Sequence, residues 1–185
     1  MIVGISHVAS LPTPRAGQLS RADFDQLVQD YQAPLLRFLT GLLHDPEVAA
    51  DLCQDTFLSA YRAAPRLHGD ELNLGGWLYT IALNHARGVL RRRRILSWVP
   101  FVASRHDRPS ATQDLARQVA QQDELQELLR QLPIEQRACL LLHADGFRYA
   151  EIAQVLNCSV GAVKLRIFRA REHCLAMRRR EGENE

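Results

Sequence analysis

The chain has 185 residues, 46% of them hydrophobic and 6% aromatic, with a formal net charge of +2. That length leaves room for one or two small domains, and so small a net charge identifies no partner by itself. No apolar run approaches the roughly 18 residues that span a membrane, and no signal peptide opens the chain. A soluble cytoplasmic protein without membrane insertion is expected.

The charge is unevenly placed. Arg91 to Arg94 form one basic run and Arg178 to Arg180 another. The Cys residues, at 53, 139, 158 and 174, contain no CxxC pair and suggest no disulfides in an intracellular chain. Cys139 and His143 share a helical face at i, i+4, as zinc ligands can. With no second pair nearby in sequence, a core Cys beside a surface His is the better reading, and no metal or other cofactor is expected.

Residues 1–19, with Pro12, Pro14 and Gly17 and no clear period, read as a loose tail. Ser20 then caps a helix, with Asp23 at the capping-box position. Phe24, Leu27, Val28, Tyr31, Leu35, Phe38, Leu39 and Leu42 follow at helical spacing, and Pro34 predicts a kink or break within them. Asp45-Pro46 starts a new helix. On it Val48, Leu52, Leu58 and Tyr61 are predicted to face a core, while Asp51, Gln54 and Asp55 cluster outward. Residues 66–76 read as a loop from their Gly, Asp and Asn. From Trp77 a helix carries Trp77, Ile81, Ala82, His85 and Val89 at helical spacing. Asn84, Arg87 and Arg91 gather on another face, a mixture that suits a single-stranded nucleic-acid groove.

Residues 98–121 turn polar around Pro109 and read as a linker between two helical domains, 20–97 and 122–180. After the linker, Leu125, Leu128, Leu129 and Leu132 restore a helical period. Pro133 opens a further helix that Gly146 ends. The acidic end, EGENE, reads as frayed. The predicted fold is therefore all-α.

The most telling stretch is YAEIAQVL-NCS-VGAVKLRIFRAR, residues 149–171. Ile152, Ala153, Val155 and Leu156 make the first helix apolar. Asn157 and Ser159 break it and can cap the second. There Val160, Val163, Ile167, Ala170 and Cys174 form an apolar stripe. Gly161, Ala162, Leu165, Phe168 and Arg169 lie on the opposite side, flanked by Lys164 and Arg166. This is a helix-turn-helix with a basic outward face. Arginine suits such a face because its fork pairs with guanine edges or phosphates. Phe168 is an aromatic off the apolar stripe, placed to touch a thymine methyl or a sugar.

The segment NCSVGAVKLRIFRARE resembles the C-terminal DNA-binding domain of bacterial extracytoplasmic-function sigma factors, whose usual pattern is S-x-G-T-V-K-S-R-x-x-R-A-R. Ala162 stands where Thr is usual and Leu165 where Ser is usual. The segment DLCQDTFLSAY is similar to that family's polymerase-docking helix, and WLYTIALN to its −10 strand-holding helix, with Gly88 where Asp is usual. The resemblance implies a non-enzymatic subunit of RNA polymerase that recognises −10 and −35 promoter elements and promotes transcription initiation. It implies polymerase contacts at Asp51, Gln54, Asp55 and Phe57, against the beta-prime clamp helices. It places Trp77, Asn84, Arg87 and Arg91 on −10 DNA. It places Gly161, Ala162, Lys164, Leu165, Arg166, Phe168 and Arg169 on −35 DNA. Its expected partners are core RNA polymerase, including the beta flap, and promoter DNA. Many members of that family are also held by an anti-sigma factor covering the same surfaces.

An ordinary dimeric helix-turn-helix regulator explains residues 149–171 equally well, but leaves DLCQDTF and WLYTIALN without a role. No phosphate loop, carboxylate pair or nucleophile elbow supports an enzyme.

Overall fold

The computed structural model describes residues 21–66, 73–96 and 126–182, with the side chains of 66, 94–96 and 180–182 outside that description. The expected tail, the capping Ser20, the linker 98–121 and the acidic terminus from 183 lie outside the described residues. Helix α1 spans Arg21–Leu43, α2 Pro46–Ala63, α3 Leu74–Leu96, α4 Ile134–Ala144, α5 Tyr149–Leu156 and α6 Val160–Gly182. A 3₁₀ turn, Ala64–Arg66, follows α2, and residues 126–130 form a short helical stretch before α4. No strand occurs among the described residues.

Helix α1 corrects the expectation of a break, because it runs unbroken through Pro34. Proline removes a backbone donor and crowds the preceding turn, which costs about 3 kcal/mol in a helix interior. Against that, Leu27, Tyr31, Leu35, Phe38, Leu39 and Leu42 are all buried on one side. Each such side chain contributes roughly 1.5–3 kcal/mol, so packing on both sides of Pro34 holds the helix together. Helix α2 starts as its sequence dictates. Asp45 is its N-cap, the carboxylate accepting from the Val48 amide at 3.1 Å, and Pro46 occupies the first turn.

The start of α3 is a second correction. The helix begins at Leu74, three residues before Trp77. Asn73 caps it, its side-chain oxygen accepting from the Gly76 amide at 2.9 Å and its carbonyl from the Trp77 amide at 2.9 Å. The two glycines that suggested a loop lie inside the first turn. Gly75 is there for space, since a Cβ would fall 2.5 Å from the Tyr31 hydroxyl of α1. The buried stripe of α3 is also displaced from the expected one. Leu74, Leu78, Tyr79, Ala82, Leu83 and Ala86 are buried, while Trp77, Ile81, His85 and Val89 are half-buried at its edge. Helix α2 shows a third departure. Leu52 faces the core, but Leu58 and Tyr61 are 52% and 57% exposed.

The two helical halves share one core. Tyr79 of α3 is fully buried, with its ring edge-on to Phe38 of α1 at 5.0 Å and to Phe147, between α4 and α5, at 4.8 Å. Its hydroxyl donates to Asp145 at 3.1 Å. Gly41 lets α1 approach α4, since a Cβ there would meet the Leu141 side chain at 3.1 Å. Nearby, the buried Arg137 of α4 has no carboxylate partner among the described residues. It donates to the carbonyls of Leu42 at 2.6 Å, Leu132 at 2.8 Å and Arg130 at 2.9 Å. These oxygens lie at or just past the ends of helical segments, where backbone carbonyls lack partners and the helix dipole is negative.

Candidate nucleic-acid and polymerase interfaces

The helix-turn-helix forms as its sequence predicts. Asn157 ends α5 in the left-handed conformation, φ 51°, which asparagine tolerates better than most residues. The hydroxyl of Ser159 accepts from the Ala162 amide at 3.1 Å and caps α6. Ile152, Ala153, Val155 and Leu156 of α5 pack with Val163 and Ile167 of α6 in the common core. Ala170 closes a smaller cluster with Leu129 and Leu132, against which Cys174 packs. Val160, assigned to the apolar stripe, is 39% exposed at the helix start, where no neighbouring turn covers it.

With that stripe fixed inward, the opposite face of α6 is set. Gly161, Lys164, Leu165, Phe168 and Arg169 are exposed, and Ala162 is half-buried beside them. Gly161 is not required by packing, since a Cβ would meet only the Ser159 hydroxyl, at an ordinary 3.8 Å. Arg166 departs from its expected place. Its guanidinium turns inward, 3.2 Å from the Cys158 sulfur and 3.7 Å from Glu135 of α4.

Glu135 also receives Arg87. The guanidinium of that α3 residue donates to both carboxylate oxygens at 2.9 Å, and Arg87 further reaches Asn84 at 3.4 Å. One carboxylate thus holds an arginine from each of the two faces that the sequence assigned to DNA. Asn84 and Arg91 remain exposed, and Trp77 is half-buried against the core.

On α2, Asp51, Gln54 and Asp55 stand exposed, while Leu52, Cys53 and Thr56 are buried beneath them. Phe57 is half-buried and packs on the core. Leu58 and Tyr61 complete the exposed face, Tyr61 lying edge-on to Phe24 of α1 at 5.2 Å. Sequence reasoning gave this apolar pair to the core because helical period alone cannot say which side of a helix is covered. The signal available was their spacing from Gln54 and Asp51, which puts them on the acidic side.

Burial pushes the Cys139 thiol up to about 11, against which the nearby Arg166 acts only weakly. The His143 ring lies tilted against Tyr149, with ring centroids 5.2 Å apart. Cys139 is thus the core cysteine expected, and no cluster of potential metal ligands occurs among the described residues. Burial likewise raises the Tyr79 phenol and the Asp145 carboxyl, the latter against the opposing pull of its hydrogen bond with Tyr79 and of Arg37.

Comparison with known proteins fits this geometry. Residues 27–95 match the family Sigma-70 region 2, and residues 122–174 match Sigma-70, region 4. The chain is 35% identical over 164 residues to the RNA polymerase sigma-H factor of Pseudomonas aeruginosa, covering 80% of this chain and 82% of that protein. It is 32% identical over 160 residues to the ECF RNA polymerase sigma-E factor of Escherichia coli K12, covering 80% and 83%. Among solved structures, it resembles the sigma factor RpoE in complex with the anti-sigma factor NepR from Bartonella quintana, with TM-score 0.68 and 29% identity over 85% of this chain and 97% of that one. It also resembles CnrH in complex with the cytosolic domain of CnrY, with TM-score 0.64 and 28% identity over 85% and 88%.

An all-helical chain with these two blocks, the second a helix-turn-helix, is a promoter-recognising factor for transcription initiation. It belongs to the extracytoplasmic-function sigma factors of the sigma-70 family. Members of that family are non-catalytic, and they bind core RNA polymerase and promoter DNA. No described helix is long and apolar enough to cross a membrane.

Proposed function

We propose a division of labour among three surfaces. Helix α2 docks on the beta-prime clamp helices of core polymerase. Asp51, Gln54 and Asp55 supply polar orientation, and Leu58 and Tyr61 supply apolar area. Helix α3 holds the melted −10 strand through Asn84 and Arg91 beside Trp77, with Arg87 joining once it leaves Glu135. Helix α6 enters the major groove of the −35 element, and its domain rests on the beta flap. The domains proposed for these tasks are 20–97 and 122–180, and the working compartment is the cytoplasm, where the polymerase is. An anti-sigma protein that covers these faces would hold the factor inactive; the solved relative RpoE is in complex with the anti-sigma factor NepR, and CnrH with the cytosolic domain of CnrY.

The observation that carries the −35 assignment is the outward face of α6. Phe168 is 62% exposed between Lys164 and Arg169, on a helix whose other side is locked in the core. A helix fixed this way can present its first turns to a groove without rearranging. The test is reconstitution with core polymerase. The chain should convert core enzyme into one that selects particular duplex promoters from random fragments and initiates on them. A chain that binds selected duplexes as a dimer without core polymerase would support the ordinary regulator instead.

A further inference from the structure

Leu165 and Phe168 are large apolar side chains, 47% and 62% exposed, one helical turn apart on the outward face of α6. Among the described residues no helix or turn covers them, and neither belongs to a core cluster. Their neighbours limit what can cover them. Lys164, Arg169 and Arg171 are exposed along the same helix, and Gly161 and Ala162 keep its first turn thin. A face with an apolar centre and cationic flanks matches the major groove, whose rims are phosphates and whose floor has one apolar group at the base edges, the thymine C5-methyl. The next residue down this stripe, Glu172, is acidic and exposed. It would repel a phosphate rim, so the close approach is confined to the first turns of α6.

We propose that Leu165 and Phe168 read thymine methyls, making paired thymines a specificity-determining feature of the −35 element for this chain. This rests on the assignment of α6 to the −35 major groove. Side chains at i and i+3 lie about 5–6 Å apart, whereas base pairs are stacked at about 3.4 Å. The two methyls therefore belong to base pairs one or two steps apart, on either strand. Removing a buried methyl from such a contact lowers affinity about fourfold.

The experiment uses holoenzyme assembled from core polymerase and the full chain. Selection from promoters randomised at −35 should enrich T·A pairs at two positions no more than two steps apart. Each selected thymine is then replaced by deoxyuridine, which deletes the methyl and leaves pairing and charge unchanged. Wild-type holoenzyme should lose about fourfold at each position. Phe168→Ala and Leu165→Ala should each become indifferent to the methyl at one position and remain sensitive at the other, with the salt dependence of binding unchanged. Equal binding to thymine and deoxyuridine by wild type would overturn the proposal. So would variants that keep full methyl sensitivity, which would make the stripe a surface for a protein partner. If wild-type holoenzyme initiates but selects no −35 sequence, the groove assignment itself fails, an outcome seen before any deoxyuridine is introduced.

Discussion

Tyr79 and Asp145, 66 positions apart in the chain, share a hydrogen bond of 3.1 Å between the first helical half and the second. The phenol is fully buried among Phe38, Phe147 and Tyr31, and the carboxylate that accepts it is half-buried. A desolvated carboxyl binds its proton more tightly in the folded chain than in the unfolded one.

That gives a pH signature. Burial raises the folded carboxyl of Asp145 above its ordinary 3.8. Its contribution to stability is therefore fully present below 3.8 and is lost as pH rises through the folded value. Asp145→Asn keeps an acceptor for Tyr79 but has no proton to lose. Urea unfolding across this acid range should show wild type losing stability relative to the variant as pH rises through the folded value. Parallel pH profiles for the two proteins would contradict this.

Arg137 should be among the most sensitive positions in the chain. Replacing it with Met leaves the carbonyls of Leu42, Arg130 and Leu132 without their shared donor in a largely dry site. The expected loss is about 2–4 kcal/mol in urea unfolding at unchanged m. A loss below about 1 kcal/mol would mean that water reaches those carbonyls.

The α2 face separates binding from stability. Asp51→Arg with Asp55→Arg should abolish co-purification with core polymerase while leaving the thermal midpoint almost unchanged, because both side chains are exposed. Tyr61→Ala should weaken the same association about tenfold, as expected of an aromatic anchor at an interface centre. Unchanged association by a folded Tyr61→Ala would return that residue to a merely local role beside Phe24.

Lys164 and Arg169 should differ in kind. Lys164→Ala is expected to weaken binding to all −35 duplexes alike and to flatten the salt slope by about one counterion. Arg169→Ala should lose more on the selected sequence than on a scrambled one, since a bidentate base contact adds roughly 1–3 kcal/mol of discrimination. Holoenzyme binding across a salt series distinguishes the two, and equal losses on both sequences would make Arg169 a phosphate contact.

Glu135→Gln should free Arg87 and Arg166 from their shared carboxylate. The expected result is faster open-complex formation, by a few-fold, read by fluorescence of a labelled promoter. An unchanged rate would mean that these arginines leave Glu135 without delay.

Much of this was legible in the sequence. The helix start at Asp45-Pro46, the break at Asn157, the cap at Ser159 and the inward stripe of Val163, Ile167 and Ala170 follow from local chemistry, which a sequence displays directly. What escaped depended on distant partners. The glycines at 75 and 76 look like a loop until Tyr31 is placed against them. Leu58 and Tyr61 look like core until α2 is turned. Trp77 draws attention by size, yet the smaller Leu78 and Tyr79 take the buried side. Arg166, counted among the DNA contacts, is drawn inward by Cys158 and by Glu135, some 30 residues away. Arg137 gives no signal at all, because its partners are backbone oxygens that every sequence possesses.

The packing of Tyr79 against Phe147 also sets a length. Elements centred about 10 and 35 base pairs upstream of a start site lie roughly 85 Å apart along B-form DNA, at about 3.4 Å per pair. A compact chain of this size has a radius of gyration of about 16 Å, so its two ends cannot touch both elements while the halves share a core. Residues 97–125, stretched at about 3.3 Å each, would reach about 95 Å, enough to tether halves that have come apart. Spanning a promoter therefore means stripping Tyr79 of Phe147, while Phe38 and Tyr31 stay with it, and stripping Asp145 of its donor. Whatever draws the halves apart must also shelter the surfaces it uncovers.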